Sequence, residues 1–224
     1  MPRNKRGPMP LAKRYEVFCE GQTEQHYLNG LRGYLHDENP SIRVKIDLTC
    51  VGGGGYKSIY KALAKQPDSG CIARFALLDY DRYSNMPAER IWFERLVELS
   101  RLSRKSKVPS ILIVSNEDFE YTLCCHDPRY QNGDTKQWLT GQWGYSDLGA
   151  CKSDERIWDK ANAGPNSIKN AIWHLRDRKP IIANDIKINR NKLDITLKAV
   201  DHKSESAQRT SNLYDLTEVL GVEE

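Results

Sequence analysis

Four short apolar segments alternate with helix-like stretches in the first half of the chain and predict an α/β fold. The segments are Arg14–Cys19, Ile42–Cys50, Ile72–Leu78 and Ser110–Val114. The second alternates apolar with polar residues, so we expect it at an edge of the sheet. The third and fourth are apolar almost throughout, as in strands that a parallel sheet buries on both faces.

Right-handed crossovers would join these strands into a parallel sheet with helices on both faces. The most economical order places strand one beside strand three, strand two outside strand one, and strand four outside strand three. A ligand is then expected in the crevice between strands one and three, where the chain direction switches. The predicted fold is a four-stranded, mainly parallel, Rossmann-like sheet.

Apolar residues at helical spacing predict helices after the strands. The first helix is expected to begin at Thr23, whose hydroxyl would cap it, and to bury a stripe from Tyr27 to Leu35. A helix near Pro87 has the core candidates Ile91, Trp92, Leu96, Leu99 and Leu102. Leu213 to Leu220 predict a closing helix.

The chain is expected to divide into four segments. Residues 1–13 are a basic flexible tail, and residues 14–126 are the α/β core. Residues 127–163 form an insertion of short helices and loops, packed by its tryptophans. Residues 164–224 supply helices and an extended segment that complete the same domain. Within them, residues 180–210 fit either an added hairpin or an extended loop.

The composition is typical of a soluble globular protein. Of 224 residues, 39% are hydrophobic and 29% are charged, and no apolar run approaches the roughly 20 residues that cross a bilayer. The N-terminus lacks the apolar segment of a signal peptide, and the six cysteines form no CxxC pair. We therefore expect a cytoplasmic protein with no membrane partner.

The net charge of +4 is unevenly spread along the chain. Basic residues gather in the first fourteen positions, at residues 101–107 and at residues 176–179. Basic clusters beside an acidic centre suit a polyanion such as nucleic acid. Each cluster taken alone also fits a solvated helix end or tail.

The third strand ends in two aspartates, Asp79 and Asp81. Alternate residues of a strand point the same way, so both carboxylates are expected to face one point beyond the strand. Carboxylates held that close repel unless a cation lies between them. Glu20 follows the neighbouring first strand, and we predict that these three residues bind Mg²⁺ or Mn²⁺. The alternative is a strand followed by an acidic turn.

Two further acids stand in the first turns of helices that follow strand ends. We predict that Glu24 and Glu120 support the metal ligands or form a second metal site, with a role in the helix dipole as the alternative for Glu24. His126, beside Cys125, is a candidate for orienting a phosphate or assisting proton transfer. Its alternative is a buried structural residue.

The glycine run Gly52–Gly55 precedes a predicted helix and suggests a phosphate-binding loop. The pattern G-x-x-x-x-G-K-[ST] fails here at both glycines, because Val51 and Tyr56 stand in their places. Nucleotide binding by this loop is therefore an alternative function and not the leading one.

The motifs resemble those of the TOPRIM domain, which topoisomerases, bacterial primases and OLD-type nucleases share. Its mark is one Glu after the first strand, here Glu20, and an Asp-x-Asp after the third, here Asp79-Tyr-Asp81. More narrowly, the chain resembles the RloB-like family over nearly its whole length. That likeness rests on Glu20-Gly-Gln-Thr-Glu24, Tyr27, Ser115-Asn116, Phe119-Glu120, His126 and Arg209-Thr210-Ser-Asn-Leu213.

Three positions depart from the RloB-like pattern. Gln25 and His26 stand where the family has Glu or Lys and then Pro, and Glu117 stands where it has Pro. The resemblance implies a metal-dependent nuclease in bacterial anti-phage defence (abortive infection) that works beside an ABC-type ATPase. Its substrate would be nucleic acid of phage or host, either DNA or RNA such as tRNA. A homo-oligomer is left open.

Three functions therefore compete. The first is a Mg²⁺-dependent phosphodiesterase acting on nucleic acid, and the second is a non-catalytic binding or regulatory module. The third is the nucleotide-binding protein described above. If the first holds, an open nuclease site needs restraint, and we predict that a partner acts through the basic tail or the tryptophan-rich insertion.

Overall fold

The structure of the protein is a computed structural model. It describes residues 13–38, 44–103, 106–116, 118–189, 192–202 and 209–222. The predicted basic tail lies outside the described residues except for Lys13, which already belongs to the first strand. Glu117, and Arg104 and Lys105 of the second basic cluster, lie outside them as well.

The described residues form seven strands and ten helices. The strands are β1 (Lys13–Cys19), β2 (Val44–Cys50), β3 (Cys71–Asp79), β4 (Ser110–Asn116), β5 (Ile182–Asn189), β6 (Lys192–Val200) and β7 (Thr210–Ser211). The helices are α1 (Gln22–Glu38), α2 (Gly55–Leu63), α3 (Asp81–Asn85), α4 (Pro87–Ser103), α5 (Phe119–Cys124), α6 (Thr135–Gly141), α7 (Leu148–Lys152), α8 (Ile157–Ala161), α9 (Ile168–Arg176) and α10 (Leu213–Leu220). None of these helices combines the length and the apolar character that a membrane crossing requires.

Five strands form one mixed sheet in the order β2-β1-β3-β4-β7. Strands β1 to β4 are parallel, and β7 pairs antiparallel with β4. The order of the four parallel strands is the predicted one, with β2 at an edge. The expectation of four strands is corrected to five, because the two-residue strand β7 closes the other edge.

The burial of each strand follows its apolar pattern. Every residue of β4 is buried, and β3 is buried between its first and last residues except at Ile72. In β2, only Ile46 is buried, as expected of an edge strand that faces solvent. Apolar side chains on both faces of β3 and β4 therefore bring helices to both faces of the sheet.

The helices cover the two faces in separate groups. On one face, α1, α5, α10 and the segment of α6 to α9 pack against residues such as Val17, Phe75 and Ile113. On the other face, α2 and α4 pack against Ala76 and Leu112, among others. The protein is thus an α/β domain with a mainly parallel sheet between two helical layers.

Helix α4 buries part of the predicted stripe, and Trp92 and Leu99 pack half-buried against the core. Leu96 is buried as expected, but Ile91 is 55% exposed and Leu102 is 62% exposed. Phe93 and Val97 face the sheet instead. Adjacent apolar residues at 91–93 and 96–97 widen the stripe, so the spacing alone did not fix which part of it faces the sheet.

The tryptophan-rich insertion contains three short helices, α6, α7 and α8, as expected. Trp158 of α8 is buried against α1, with ring centroids 5.0 Å from Tyr27 and 5.7 Å from Tyr34. Gly30 of α1 makes this contact possible, because a Cβ atom there would lie 2.1 Å from the Trp158 side chain. The insertion is therefore fitted closely to α1.

The C-terminal part resolves the open alternative for residues 180–210 in favour of a hairpin, formed by β5 and β6. After the hairpin, the side chain of Asn212 hydrogen-bonds the backbone of β4 in the way that a neighbouring strand would. Its side chain accepts a hydrogen bond from the Val114 N–H at 2.7 Å and donates one to the Leu112 carbonyl at 2.9 Å. The carboxylate of Asp215 accepts hydrogen bonds from Asn212 and Asn184, which fixes α10 on β4.

Candidate metal centre

An open cleft of about 500 Å³ lies at the carboxyl ends of β1 and β3. Its acidic lining residues are Glu20, Glu24, Asp79, Asp81 and Glu120, and its basic ones are Arg82 and Lys152. Five of the six predicted site residues thus face one space, although 100 positions separate the first from the last. This is the crevice where the strand order predicted a ligand.

Each acid reaches the cleft from the end of a strand or the start of a helix. Glu20 comes directly after β1, and Asp79 is the last residue of β3. Glu24 lies in the first turn of α1, and Glu120 lies in the first turn of α5. Because β1, β3 and β4 are parallel neighbours, their carboxyl ends meet at one edge and bring these side chains together.

Glu24 folds back toward the end of β1, as predicted. Its carboxylate lies so close to Gly21 that a Cβ atom there would be 2.6 Å from the Glu24 Oε2 atom. Burial raises the pKa of Glu24, and backbone hydrogen bonds at Glu24 and Gly21 act in the opposite direction. Gly21 therefore leaves the space in which the Glu24 carboxylate turns into the cleft.

Asp81 reaches the cleft by a different route from the predicted one. Strand β3 ends at Asp79, and Tyr80 already has helical dihedral angles of φ −76° and ψ −13°. Asp81 is the first residue of α3 and is exposed, so the alternation of a strand does not place it. It lines the cleft because the chain turns into a helix directly beyond the strand end.

The carboxylates of the cleft strongly influence one another. Burial raises the pKa of Glu20 to about 7, against the opposing effect of Arg82, and the charges of Glu24 and Asp81 raise it further. Burial, followed by the charges of Glu24 and Glu120, holds the pKa of Asp79 well above its usual range. A cation placed among these groups would offset both the burial and the repulsion of their ionised forms, as in a cation-binding site.

Two basic side chains offset part of the negative charge of the cleft, and neither was predicted as a site residue. Arg82 of α3 pairs with Glu20, with 2.6 Å between Nε and Oε2. Lys152, at the end of α7 in the insertion, lies 3.4 Å from Glu120 Oε1. Burial lowers the pKa of Lys152, but the charge and hydrogen bond of Glu120, together with the charges of Asp79 and Asp118, raise it above its ordinary value.

Some carboxylate oxygens of the cleft have no partner. Glu20 Oε1 and Glu120 Oε2 are buried without a hydrogen bond, in residues that are 6% and 1% exposed. Buried carboxylate oxygens are normally hydrogen-bonded or bound to a metal. Hard oxygen donors suit Mg²⁺ or Mn²⁺, so the residues present fit the predicted ion in their chemistry.

The ligands are not gathered into a finished coordination sphere. Within the described part of the chain, no three His, Cys, Asp or Glu side chains lie close enough together to hold one metal ion. Glu20 turns its Oε2 atom toward Arg82. The five carboxyl groups of the cleft lining repel one another, and Arg82 and Lys152 are the basic residues in that lining.

His126 lies away from the cleft, in contrast to the prediction. It is fully buried, its Nε2 atom is 3.0 Å from the Tyr27 hydroxyl, and its ring packs edge-on against Trp158. Burial lowers its pKa to about 3, so the imidazole is neutral near pH 7. These contacts are those of the structural alternative, and we leave His126 out of the candidate centre.

The glycine loop borders the cleft through Gly52 and Gly53, but the helix start behind it is already filled. The Glu89 carboxylate accepts a hydrogen bond from the Tyr56 N–H at 2.8 Å, at the first turn of α2. A Cβ atom on Gly55, whose φ is +63°, would lie 2.7 Å from Glu89 Oε1. A nucleotide phosphate would have to displace this acid, which weakens the nucleotide-binding alternative.

Comparison with known proteins adds no relative: no protein-family model matches the chain, and no curated protein matches it. The geometry of the cleft and the short motifs that line it therefore carry the functional argument.

Proposed function

We propose that the protein is a metal-dependent nuclease of the TOPRIM type that hydrolyses phosphodiester bonds of nucleic acid. One observation carries the proposal: five carboxyl groups line one open cleft at the carboxyl edge of a parallel sheet, and two of them have buried, unpartnered oxygens. The motif likeness around Glu20 and Asp79-Tyr-Asp81 supports the same activity.

Glu20, Asp79 and Asp81 would hold the divalent cation, and Glu24 and Glu120 would support them or hold a second one. When bound, Mg²⁺ would polarise the scissile phosphate, ready a water molecule and stabilise the leaving oxygen. Other residues of the cleft help to position these carboxylates. Gly21 leaves room for the Glu24 carboxylate, and the hydroxyl of Thr23 donates to Glu120 Oε1 at 3.4 Å.

The insertion is a candidate for the restraint that such a nuclease needs. Lys152 belongs to it and reaches Glu120, so a partner that moves the insertion would change the charge in the cleft. By analogy with the RloB-like resemblance, that partner is an ABC-type ATPase in anti-phage defence. We propose this role in the cytoplasm of a bacterium.

Cleavage assays test the proposed activity. The wild-type protein is incubated with tRNA, single-stranded RNA and double-stranded DNA, with Mg²⁺ or Mn²⁺ and then with EDTA. We expect cleavage of at least one substrate that stops with EDTA and falls at least about 100-fold in Asp79→Asn. Glu98→Gln is the matched control, because this acid lies on the exposed surface of α4.

Two results would count against the nuclease. Cleavage that persists in EDTA, or equal activity in Asp79→Asn and Glu98→Gln, would mean that the cleft is not the catalytic site. Cation binding without cleavage of any of the three substrates would favour the non-catalytic binding module.

A further inference from the structure

Arg82 lines the cleft and forms an ion pair with the buried carboxylate of Glu20. It follows Asp81 in the short helix α3, and its side chain is 25% exposed. Its Nε atom lies 2.6 Å from Glu20 Oε2, on the side of the carboxylate opposite the unpartnered Oε1 atom. Arg82 therefore stands beside a predicted metal ligand and remains open to the space of the cleft.

Arg74 is an arginine of this protein with a purely structural role, and its contacts differ from those of Arg82. Its side chain is 5% exposed, its Nε donates to Glu16 Oε2 at 2.8 Å, and its Nη atoms donate to carbonyl groups at the end of α2. In the described part of the chain, Arg82 has Glu20 as its one ion-pair partner. The guanidinium of Arg82 is thus held by one ion pair, and its Nη atoms retain N–H groups that can donate hydrogen bonds to a ligand.

We propose that Arg82 is an exchangeable counter-ion: it pairs with Glu20 while the cleft holds no metal ion, and it binds a non-bridging phosphate oxygen of the substrate once a divalent cation takes Glu20. This inference rests on the proposed nuclease function and adds a substrate-binding residue to it.

The exchange follows from charge and geometry. A divalent cation attracts the Glu20 carboxylate more strongly than a partly solvated guanidinium does, so the two compete for the same oxygens. Once released, the guanidinium stays tethered beside Asp81 on the rim of the cleft, where the metal would hold the phosphate. A planar guanidinium donates two parallel hydrogen bonds to phosphate, which lysine and glutamine do not reproduce.

Competition predicts two effects of opposite sign in Arg82→Gln. Metal affinity should rise about three- to tenfold, because Mn²⁺ no longer displaces an arginine from Glu20. Affinity for nucleic acid in the presence of a divalent cation should fall about tenfold, because a phosphate contact is lost. A residue that merely holds the fold would weaken both kinds of binding together.

The test measures each kind of binding without relying on cleavage. Mn²⁺ affinity is measured by titration with electron paramagnetic resonance, and affinity for a fluorescent single-stranded oligonucleotide is measured by anisotropy with Ca²⁺ in place of Mg²⁺. The variants are Arg82→Gln, Arg82→Lys and Arg95→Gln, whose exposed arginine lies over the Trp92 ring on α4, outside the cleft and the basic clusters. We expect Arg82→Lys to retain wild-type Mn²⁺ affinity and part of the oligonucleotide affinity, and Arg95→Gln to behave as wild type.

The outcomes separate this inference from the proposed function. If the wild-type protein binds Mn²⁺ but Arg82→Gln binds it equally or more weakly, Arg82 does not compete with the metal and the inference is wrong. Unchanged oligonucleotide affinity in Arg82→Gln would likewise overturn the phosphate contact. If the wild-type protein binds no Mn²⁺ at all, the metal-dependent nuclease itself fails, and the inference fails with it.

Discussion

Two glutamates lie four positions apart, Glu16 within β1 and Glu20 just beyond its end. Their carboxylates differ in how completely they are hydrogen-bonded. Both oxygens of Glu16 have partners: Oε2 accepts from Arg74 at 2.8 Å, and Oε1 accepts from the Asp68 N–H at 2.7 Å. Glu20 has a buried oxygen without a partner and one ion pair with a part-exposed arginine.

The comparison separates a completed polar network from an incomplete one. A buried ion pair with all its hydrogen bonds rigidifies a fold, whereas a buried carboxylate without enough partners destabilises it. Evolution tolerates the second arrangement mainly where a ligand supplies what is missing. The difference between Glu16 and Glu20 therefore points to the cleft as the working part of the sheet, and three substitutions can test it.

Glu16→Gln should have the largest effect on stability. It removes the charge that faces the buried Arg74 guanidinium, and loss of one partner of such a pair costs about 3–5 kcal/mol. Urea unfolding monitored by circular dichroism measures the loss. A change below about 1 kcal/mol would show that the carbonyl groups of α2 alone satisfy Arg74, and the contrast with Glu20 would disappear.

Glu20→Gln should instead stabilise the metal-free protein at high pH. The folded state keeps the Glu20 proton up to a pKa of about 7, whereas the ordinary value is 4.5, so this carboxyl group destabilises the fold increasingly as pH rises between those values. We expect a gain on the order of 1–3 kcal/mol at pH 8 and less than about 1 kcal/mol at pH 5.

Urea unfolding at the two pH values, with EDTA present, measures this gain. The matched control is Glu98→Gln, which removes an exposed carboxylate of α4 instead of a buried one. An equal gain at pH 5 and pH 8 would mean that ionisation of buried Glu20 is not the source of the instability.

His126→Phe should have the smallest effect of the three, a loss of about 1–2 kcal/mol. The new ring can fill the apolar site, but the Tyr27 hydroxyl loses the partner that lies 3.0 Å away. Because His126 lies outside the cleft, Mn²⁺ affinity should stay within about twofold of wild type when measured by titration. A tenfold loss of Mn²⁺ affinity at unchanged stability would return His126 to the candidate centre.

The sequence was sufficient to predict the order of the parallel strands. Alternation in β2 placed it at an edge, and the unbroken apolar runs of β3 and β4 placed them inside. Strand β7 escaped prediction because two residues carry no periodic pattern, and its place depends on Asn212 pairing with a strand about 100 positions earlier.

The acids of the cleft were predictable because strand ends in a parallel sheet meet at one edge. Their counter-ions were harder to predict. Arg82 had a local signal, since it directly follows Asp81. Lys152 had none, because only the packing of the insertion on α1 brings it to Glu120. His126 lies in the core, where its ring meets Tyr27 and Trp158.

The closure of β4 by Thr210, Ser211 and Asn212 has a consequence for the timing of synthesis on the ribosome. Until these residues emerge, the edge of β4 lacks the partners that they supply. Contacts between such distant positions form late in folding because a long loop must close first. A growing chain can thus display the ends of β1 and β3 before the edge of β4 is closed, and the sheet is completed only after residue 212 has emerged.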